Sequence, residues 1–111
     1  MGEEKIDLKE ILPDEVHLEA EIAELLKTKI YAQLLLYSVW KLQNNQSSIK
    51  TKEVAGKFHI SSNLARYYLD VMTNLQFFFK RKIGKEQYYI ITESVKKYQE
   101  EAKKTLDLLK I

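Results

Sequence analysis

At 111 residues and 45 % hydrophobic content, the chain is long enough for one compact domain and too short for two. The absence of Cys and the presence of only two His exclude disulfides and thiolate metal sites and leave too few ligands for a zinc centre, so we expect neither metal nor cofactor. The net charge is only +2, the N-terminus is acidic, and no apolar run approaches the roughly 20 residues that span a membrane, so we expect a cytoplasmic protein without membrane contact.

The charged residues divide the chain into three parts. Residues 1–27 carry three Lys against nine Asp and Glu, residues 28–92 carry ten Lys and Arg against three, and residues 93–111 carry five against four. We therefore predict an acidic N-terminal extension with one helix, a basic central domain and a C-terminal helix. A concentrated basic segment attracts a phosphate backbone, although a solvated protein surface has the same composition.

Two helices are predicted before residue 44. The first begins at Pro13 and is acidic and amphipathic, with its apolar residues at helical spacing. Such a stripe is buried either in the chain's own domain or against a second copy. The second helix, over residues 29–43, is apolar round its circumference and is predicted to be the central helix of the core. Ile49 follows as a short strand.

Two predicted N-caps, Thr51 and Ser61, mark the next two helices. Thr51 starts a short helix that ends at Phe58, and Ser61 starts a longer one that ends near Leu75. Only two residues separate these helices, and so short a turn is typical of a helix-turn-helix.

The longer of these helices sorts into two faces at about 100° per residue. The apolar face is predicted to contain Leu64, Tyr68, Val71, Met72 and Leu75. The opposite face is predicted to contain Ser62, Asn63, Arg66, Asp70 and Thr73, with Tyr67 and Asn74 beside it.

The polar face suits the major groove of DNA, because Arg pairs with guanine edges and Asn with adenine edges. The predicted contacts are Ser61, Ser62, Asn63, Arg66 and Tyr67. Asp70 would repel phosphate, which confines contacts to the first two turns. A merely solvated helix face is the alternative interpretation.

A β-hairpin is predicted next, because aromatic and β-branched runs over residues 77–83 and 86–91 flank the pair Gly84-Lys85, which suits a type II′ turn. Its cations are candidates for phosphate contact: Lys80, Arg81, Lys82 and Lys85. Lys on a sheet edge also serves solubility, which is the alternative. Weaker candidates for backbone contact are Lys50, Lys52 and Lys57. The aromatic residues of the longer helix and the hairpin are expected to fill the core, with stacking on the bases of single strands as the alternative: Tyr67, Tyr68, Phe77, Phe78, Phe79, Tyr88 and Tyr89.

The last helix is predicted to start at Thr92 and to end at Lys110, with a heptad-like apolar seam. The predicted dimerisation residues lie on this seam and on the stripe of the first helix: Leu18, Ile22, Leu25, Tyr98, Ala102, Leu106 and Leu109. A helix packed on its own domain would show the same pattern.

The stretch SSNLARYYLDVMTNLQFFFKRKIGKEQYYIITESVKKYQEEAKK resembles small archaeal winged helix-turn-helix regulators that bind DNA and dimerise through a C-terminal helix. The hairpin of such proteins often ends in a Tyr-x-Ile-Thr-like strand, here residues 89–92. They commonly have Gly after the recognition helix, where this chain has Gln76. The resemblance implies a mainly helical α+β fold, a winged helix-turn-helix with an extra helix at each end.

Together these patterns predict double-stranded DNA binding by a nucleoid-associated homodimer, as a transcriptional regulator or an architectural protein. The alternative is a winged-helix module for protein–protein contacts in a larger assembly. The acidic first helix is a candidate for contact with a protein partner. No enzyme is expected, because the chain has no nucleophile beside a His, no Gly-rich phosphate loop and no isolated pair of acids.

Overall fold

The computed structural model describes residues 14–110, with side chains from His17 onward, and over this range the chain is a mostly helical α+β protein with a small antiparallel sheet. Residues 1–13 of the predicted acidic extension lie outside the described residues. The helices are α1 (Asp14–Leu25), α2 (Lys29–Gln43), α3 (Thr51–Phe58), α4 (Ser62–Asn74), α5 (Ser94–Lys97) and α6 (Gln99–Leu109). The strands are β1 (Ser48–Ile49), β2 (Phe78–Ile83) and β3 (Glu86–Ile91).

The sheet has the strand order β1-β3-β2. The short strand predicted at Ile49 therefore pairs with β3, the second strand of the hairpin. In the hairpin register, Lys80 lies opposite Tyr89 and Ile83 lies opposite Glu86. Gly84 has a left-handed φ of 64° and Lys85 does not, as expected of the predicted type II′ turn. The hairpin is therefore confirmed where turn chemistry predicted it.

The core lies between the helices and one face of the sheet. α2 runs through its centre and packs against α6, which confirms the prediction for residues 29–43. Three hairpin aromatics are buried in this core as predicted, namely Phe77, Phe78 and Tyr89. Phe79 is 47 % exposed and Tyr67 is 60 % exposed, which contradicts the expectation of burial for these two residues.

The apolar stripes of α1 and α6 are covered by the chain itself. Ile22, Tyr98 and Ala102 are buried in the same core, and Thr105 Oγ1 donates a hydrogen bond of 2.6 Å to the backbone oxygen of Leu26. Lys97 Nζ also lies 2.7 Å from a carboxylate oxygen of Glu19. In this conformation Ile22, Tyr98 and Ala102 cannot contact a second copy, because other residues of the same chain cover them.

The other predicted dimerisation residues are less enclosed. Leu18, Leu25 and Leu106 are half buried against the core, whereas Leu109 is exposed. Only this part of the predicted dimer surface remains open.

Two helix starts differ from the predictions. Lys50, and not Thr51, is the N-cap residue of α3. The backbone nitrogen of Lys50 donates a hydrogen bond to Glu53 Oε1. The last helix starts at Ser94 instead of Thr92 and is interrupted at Tyr98, whose backbone is not helical. The Thr92 hydroxyl instead donates a hydrogen bond of 2.8 Å to the backbone oxygen of Gln76. This bond connects the end of the hairpin to the segment that follows α4.

The buried face of α4 is rotated from the predicted one. Ala65, Leu69 and Met72 are fully buried, whereas Leu64 is 39 % exposed. At about 100° per residue, this moves the centre of the buried face by about 80° from the predicted centre. Leu64 therefore does not belong to the core, and Tyr67 lies near the middle of the solvent face.

Candidate nucleic-acid interface

The turn between α3 and α4 presents the first two turns of α4 to solvent. His59 takes a left-handed φ of 56° at the end of α3, which bends the chain sharply. Ser61 Oγ accepts a hydrogen bond of 3.1 Å from the backbone nitrogen of Leu64, so the predicted N-cap is confirmed. Helix α4 thus begins at a fixed orientation beside α3.

All five predicted α4 contacts are exposed: Ser61, Ser62, Asn63, Arg66 and Tyr67. Tyr67 is 60 % exposed, and its ring meets that of Tyr68 edge-on. Arg66 Nη1 donates a hydrogen bond of 3.3 Å to Asn63 Oδ1, which orients the guanidinium along the helix. The structure therefore brings the predicted residues together on one solvent face.

A groove next to Arg66 collects cations from three separate elements. We define the basic groove as the cavity of about 250 Å³ lined by Lys50, Thr51, Lys52, Arg66, Lys85, Glu86 and Gln87. Its cations come from the start of α3, from α4 and from the hairpin turn. Four cations against one carboxylate make it a positively charged concavity.

One of these cations is already paired. Lys50 Nζ lies 3.2 Å from a carboxylate oxygen of Glu86 and 5.2 Å from the centre of the Tyr88 ring. Within residues 17–110, no ion pair is found for Lys52, Arg66 or Lys85. These three cations carry the excess charge of the basic groove.

The hairpin cations are divided between the two faces of the sheet. Because side chains alternate along a strand, Lys80 and Lys82 share the face of Phe78, which packs in the core beside α4. Arg81 lies on the opposite face with Phe79 and Ile83, both of which are half exposed. The structure therefore splits the basic cluster that the sequence predicted round one turn.

Lys80 forms an ion pair within the protein, with Asp70. Asp70 Oδ1 accepts a hydrogen bond of 2.7 Å from Tyr89 Oη and lies 2.9 Å from Lys80 Nζ. We call Asp70, Lys80 and Tyr89 the Asp70 cluster. It joins α4 to both strands of the hairpin.

The charge of Asp70 is compensated within this cluster. Burial alone would raise the pKa of Asp70, but the hydrogen bonds from Tyr89 and Lys80 outweigh it and lower the pKa below the usual value. Burial and the neighbouring carboxylate both raise the pKa of Tyr89. The predicted repulsion of phosphate by Asp70 is therefore weakened by its Lys partner.

Lys57 is separated from the other predicted contacts. It lines a second cavity, with Gln33, Leu36, Tyr37, Trp40, Phe58 and Leu106, which we call the aromatic groove. Lys57 Nζ lies 5.4 Å from the centre of the Tyr37 ring. The two grooves have no lining residue in common, so Lys57 does not join Lys50 and Lys52.

Thr51 and Gln87 are the uncharged members of the basic groove that were not predicted. Thr51 is the first residue of α3, between two Lys, where backbone N–H groups have no partner within the helix. Gln87 lies opposite Lys82 in the hairpin register, which the two-residue turn already determines. Register could therefore have indicated Gln87, whereas the position of Thr51 depends on the contact between α3 and the hairpin.

Comparisons of the chain with protein-family models, with curated proteins and with solved structures find no significant match. Among the described residues, no group of three or more His, Asp and Glu side chains is arranged to hold a metal ion. In the same part of the chain, no helix is both long and apolar enough to cross a membrane.

Proposed function

We propose that this protein binds double-stranded DNA as a winged helix-turn-helix homodimer and acts by binding alone, as a cytoplasmic, nucleoid-associated regulator or architectural protein. The order of elements supports this proposal, because α3, a short turn and α4 precede a hairpin that pairs with a strand before α3. The observation that carries the proposal is the basic groove, where cations of α3, α4 and the hairpin meet.

In the proposed complex, α4 enters the major groove by its first two turns. Asn63 and Arg66 contact base edges, and their mutual hydrogen bond limits the orientations that Arg66 can adopt. Lys52 and Lys85, which line one groove with Arg66, bind phosphates beside α4, since phosphate contacts fix the position of a protein on the duplex. A two-fold dimer would place two α4 helices about 34 Å apart, which suits a palindromic site.

The competing function is a protein-interaction module. A protein-binding surface has an apolar centre that is depleted of charge, whereas the centre of the basic groove is cationic. The charge of this surface therefore favours nucleic acid.

The test is fluorescence anisotropy of labelled duplexes across a salt series, with wild-type protein, Arg66→Ala and a double variant of Lys52→Ala with Lys85→Ala. We expect tight binding at low salt and a linear fall of log affinity with log salt concentration. Arg66→Ala should reduce the preference among sequences, and the double variant should flatten the salt slope. Absence of duplex binding at low salt would contradict the proposal and favour the interaction module.

A further inference from the structure

Tyr67 presents an aromatic ring near the middle of the solvent face of α4. It is 60 % exposed, more than any other aromatic residue of the described chain. Asn63 lies four residues earlier and therefore on the same side of the helix. The fully buried residues lie on the opposite side: Ala65, Leu69 and Met72. The ring of Tyr67 thus belongs to the surface that the first two turns of α4 offer to a partner.

Two further tyrosines support this ring. The ring centroids of Tyr67 and Tyr68 lie 5.8 Å apart at an interplanar angle of 62°, and those of Tyr68 and Tyr31 lie 5.1 Å apart at 81°. Tyr31 belongs to α2 and is buried. Edge-on contacts therefore connect the exposed ring to the core. A ring supported in this way loses little side-chain freedom when it binds a partner.

The chemistry of the major groove limits what such a ring can recognise. Base pairs present hydrogen-bond donors and acceptors there, and the C5 methyl group of thymine is the one apolar group among them. An aromatic ring placed against a polar base edge would take that edge out of water without replacing its hydrogen bonds. A ring placed against the thymine methyl group removes apolar surface from water on both sides of the contact, which is favourable.

We infer that Tyr67 makes the bound sequence thymine-specific, by packing its ring against the C5 methyl group of one thymine in each half-site. The inference rests on the proposed function, because α4 must enter the major groove. It adds to that function the base that the middle of α4 selects. Arg66 lies about 100° round the helix from Tyr67, on the side of the basic groove, so its contacts with DNA are separate from this one.

The test begins with the selection of duplexes from a random pool by the wild-type protein. Fluorescence anisotropy then compares each selected duplex with copies in which one thymine at a time is replaced by deoxyuridine. Deoxyuridine pairs as thymine does and lacks only the C5 methyl group. We expect one such replacement in a half-site to weaken binding by about fourfold, the change that corresponds to one buried methyl group.

Two substitutions of Tyr67 assign this difference to the ring. Tyr67→Phe keeps the ring without its hydroxyl group and should retain the preference for thymine over deoxyuridine. Tyr67→Ala should bind the thymine duplex more weakly and bind both duplexes equally, because the ring that contacts the methyl group is gone. The matched control is Trp40→Ala, which removes another half-exposed aromatic ring, outside α4 and the basic groove, and should behave as the wild type. Circular dichroism melts establish that each variant is folded.

The outcomes separate this inference from the proposed function. Selected sequences without thymine, a deoxyuridine duplex that binds as well as the thymine duplex at every position, or a thymine preference that persists in Tyr67→Ala would overturn the inference and leave duplex binding intact. A preference that is lost in Tyr67→Phe would assign the contact to the hydroxyl group and overturn the inference as well. Absence of duplex binding at low salt would overturn both the inference and the proposed function.

Discussion

Two carboxylates, one on α3 and one on α4, have the same kinds of partner in different surroundings. Glu53 of α3 accepts hydrogen bonds from Tyr37 Oη and Lys41 Nζ of α2, and we call these three residues the Glu53 cluster. The Asp70 cluster likewise joins a carboxylate, a Tyr hydroxyl and a Lys. Both arrangements tie one helix to a neighbouring element.

The difference lies in solvent access. The side chain of Lys41 is 7 % exposed, whereas that of Lys80 is 46 % exposed. A buried charge that loses its partner is costly, while water and salt compensate an exposed one. Removal of one partner from the Glu53 cluster should therefore lower the free energy of unfolding more than removal of one partner from the Asp70 cluster, which joins the hairpin to α4.

The largest expected effect is that of Glu53→Gln. This substitution leaves the ammonium group of Lys41 buried without its counter-charge, so we expect the free energy of unfolding to fall by about 3 kcal/mol at neutral pH. Urea denaturation monitored by circular dichroism measures the loss.

A double variant separates charge from packing in this cluster. Lys41→Met removes the buried charge, so the combination with Glu53→Gln should be more stable than Glu53→Gln alone. If Glu53→Gln destabilises the protein no more than Asp70→Asn does, the contrast between the two clusters is wrong.

The acid sensitivity of the protein should follow the same contrast. The pKa of Glu53 is lowered, because hydrogen bonds from Lys41, Tyr37 and the Lys50 backbone outweigh the burial that would raise it. A lowered pKa in the folded state stabilises the protein above the usual carboxyl pKa, and this stability is lost as the pH falls through the folded value.

We therefore expect the free energy of unfolding to decline below about pH 4.5 as the unfolded chain takes up protons first. The decline should be shallower in Glu53→Gln, because that variant has no carboxyl to protonate at this site. Denaturation curves across the acid range provide the measurement, and equal slopes for both proteins would contradict the assignment.

Asp70→Asn should have a smaller effect that depends on salt. Loss of the charged acceptor for Tyr89 and Lys80 should lower the free energy of unfolding by about 1 kcal/mol at low salt. The Debye length shrinks to about 3 Å at 1 M salt, so the Lys80 part of this loss should fade there. A loss that is the same at both salt concentrations would mean that Asp70 is as well shielded as Glu53.

The smallest expected effect is a gain at the junction between α4 and the hairpin. Gln76 holds a left-handed φ of 70°, a conformation that favours Gly. Gln76→Gly should raise the free energy of unfolding by about 0.5 kcal/mol, because relief of strain is partly offset by the entropy of the unfolded Gly. In a double variant of Gln76→Gly with Asp70→Asn, the two changes in the free energy of unfolding should be additive, since one acts on the backbone of Gln76 and the other on the partners of Asp70.

Local signals in the sequence predicted most elements of the fold. Ser61, the pair Gly84-Lys85 and the apolar run of α2 each determine an element through their immediate neighbours, and the structure has all three.

Contacts between distant residues were not predictable in this way. The buried face of α4 centres on Ala65, whose small side chain gave no apolar signal comparable to the exposed Leu64. Tyr89 lies 19 residues from Asp70 in the sequence, and Tyr37 lies 16 residues from Glu53. Hydrophobic periodicity within one helix or strand cannot predict such pairs. Likewise an apolar stripe on α1 or α6 does not reveal whether the same chain or a second copy covers it.

The sequence predicted the cations of the basic groove, but it did not predict that they line one groove. The sequence marked Lys52, Arg66 and Lys85 for different reasons, and only the fold places them round one cavity. The same fold moves Lys57 to the aromatic groove and directs Lys80 towards Asp70.

The most direct test of the account compares the salt dependence of duplex binding for Lys52→Ala and Lys104→Ala. Lys52 lines the basic groove, whereas Lys104 is an exposed lysine of α6 that lines neither groove. Loss of one phosphate contact should reduce the slope of log affinity against log salt concentration by about 0.9 for Lys52→Ala, and the slope for Lys104→Ala should match that of the wild type. Equal slopes for both variants would contradict the assignment of the basic groove as the DNA-binding surface.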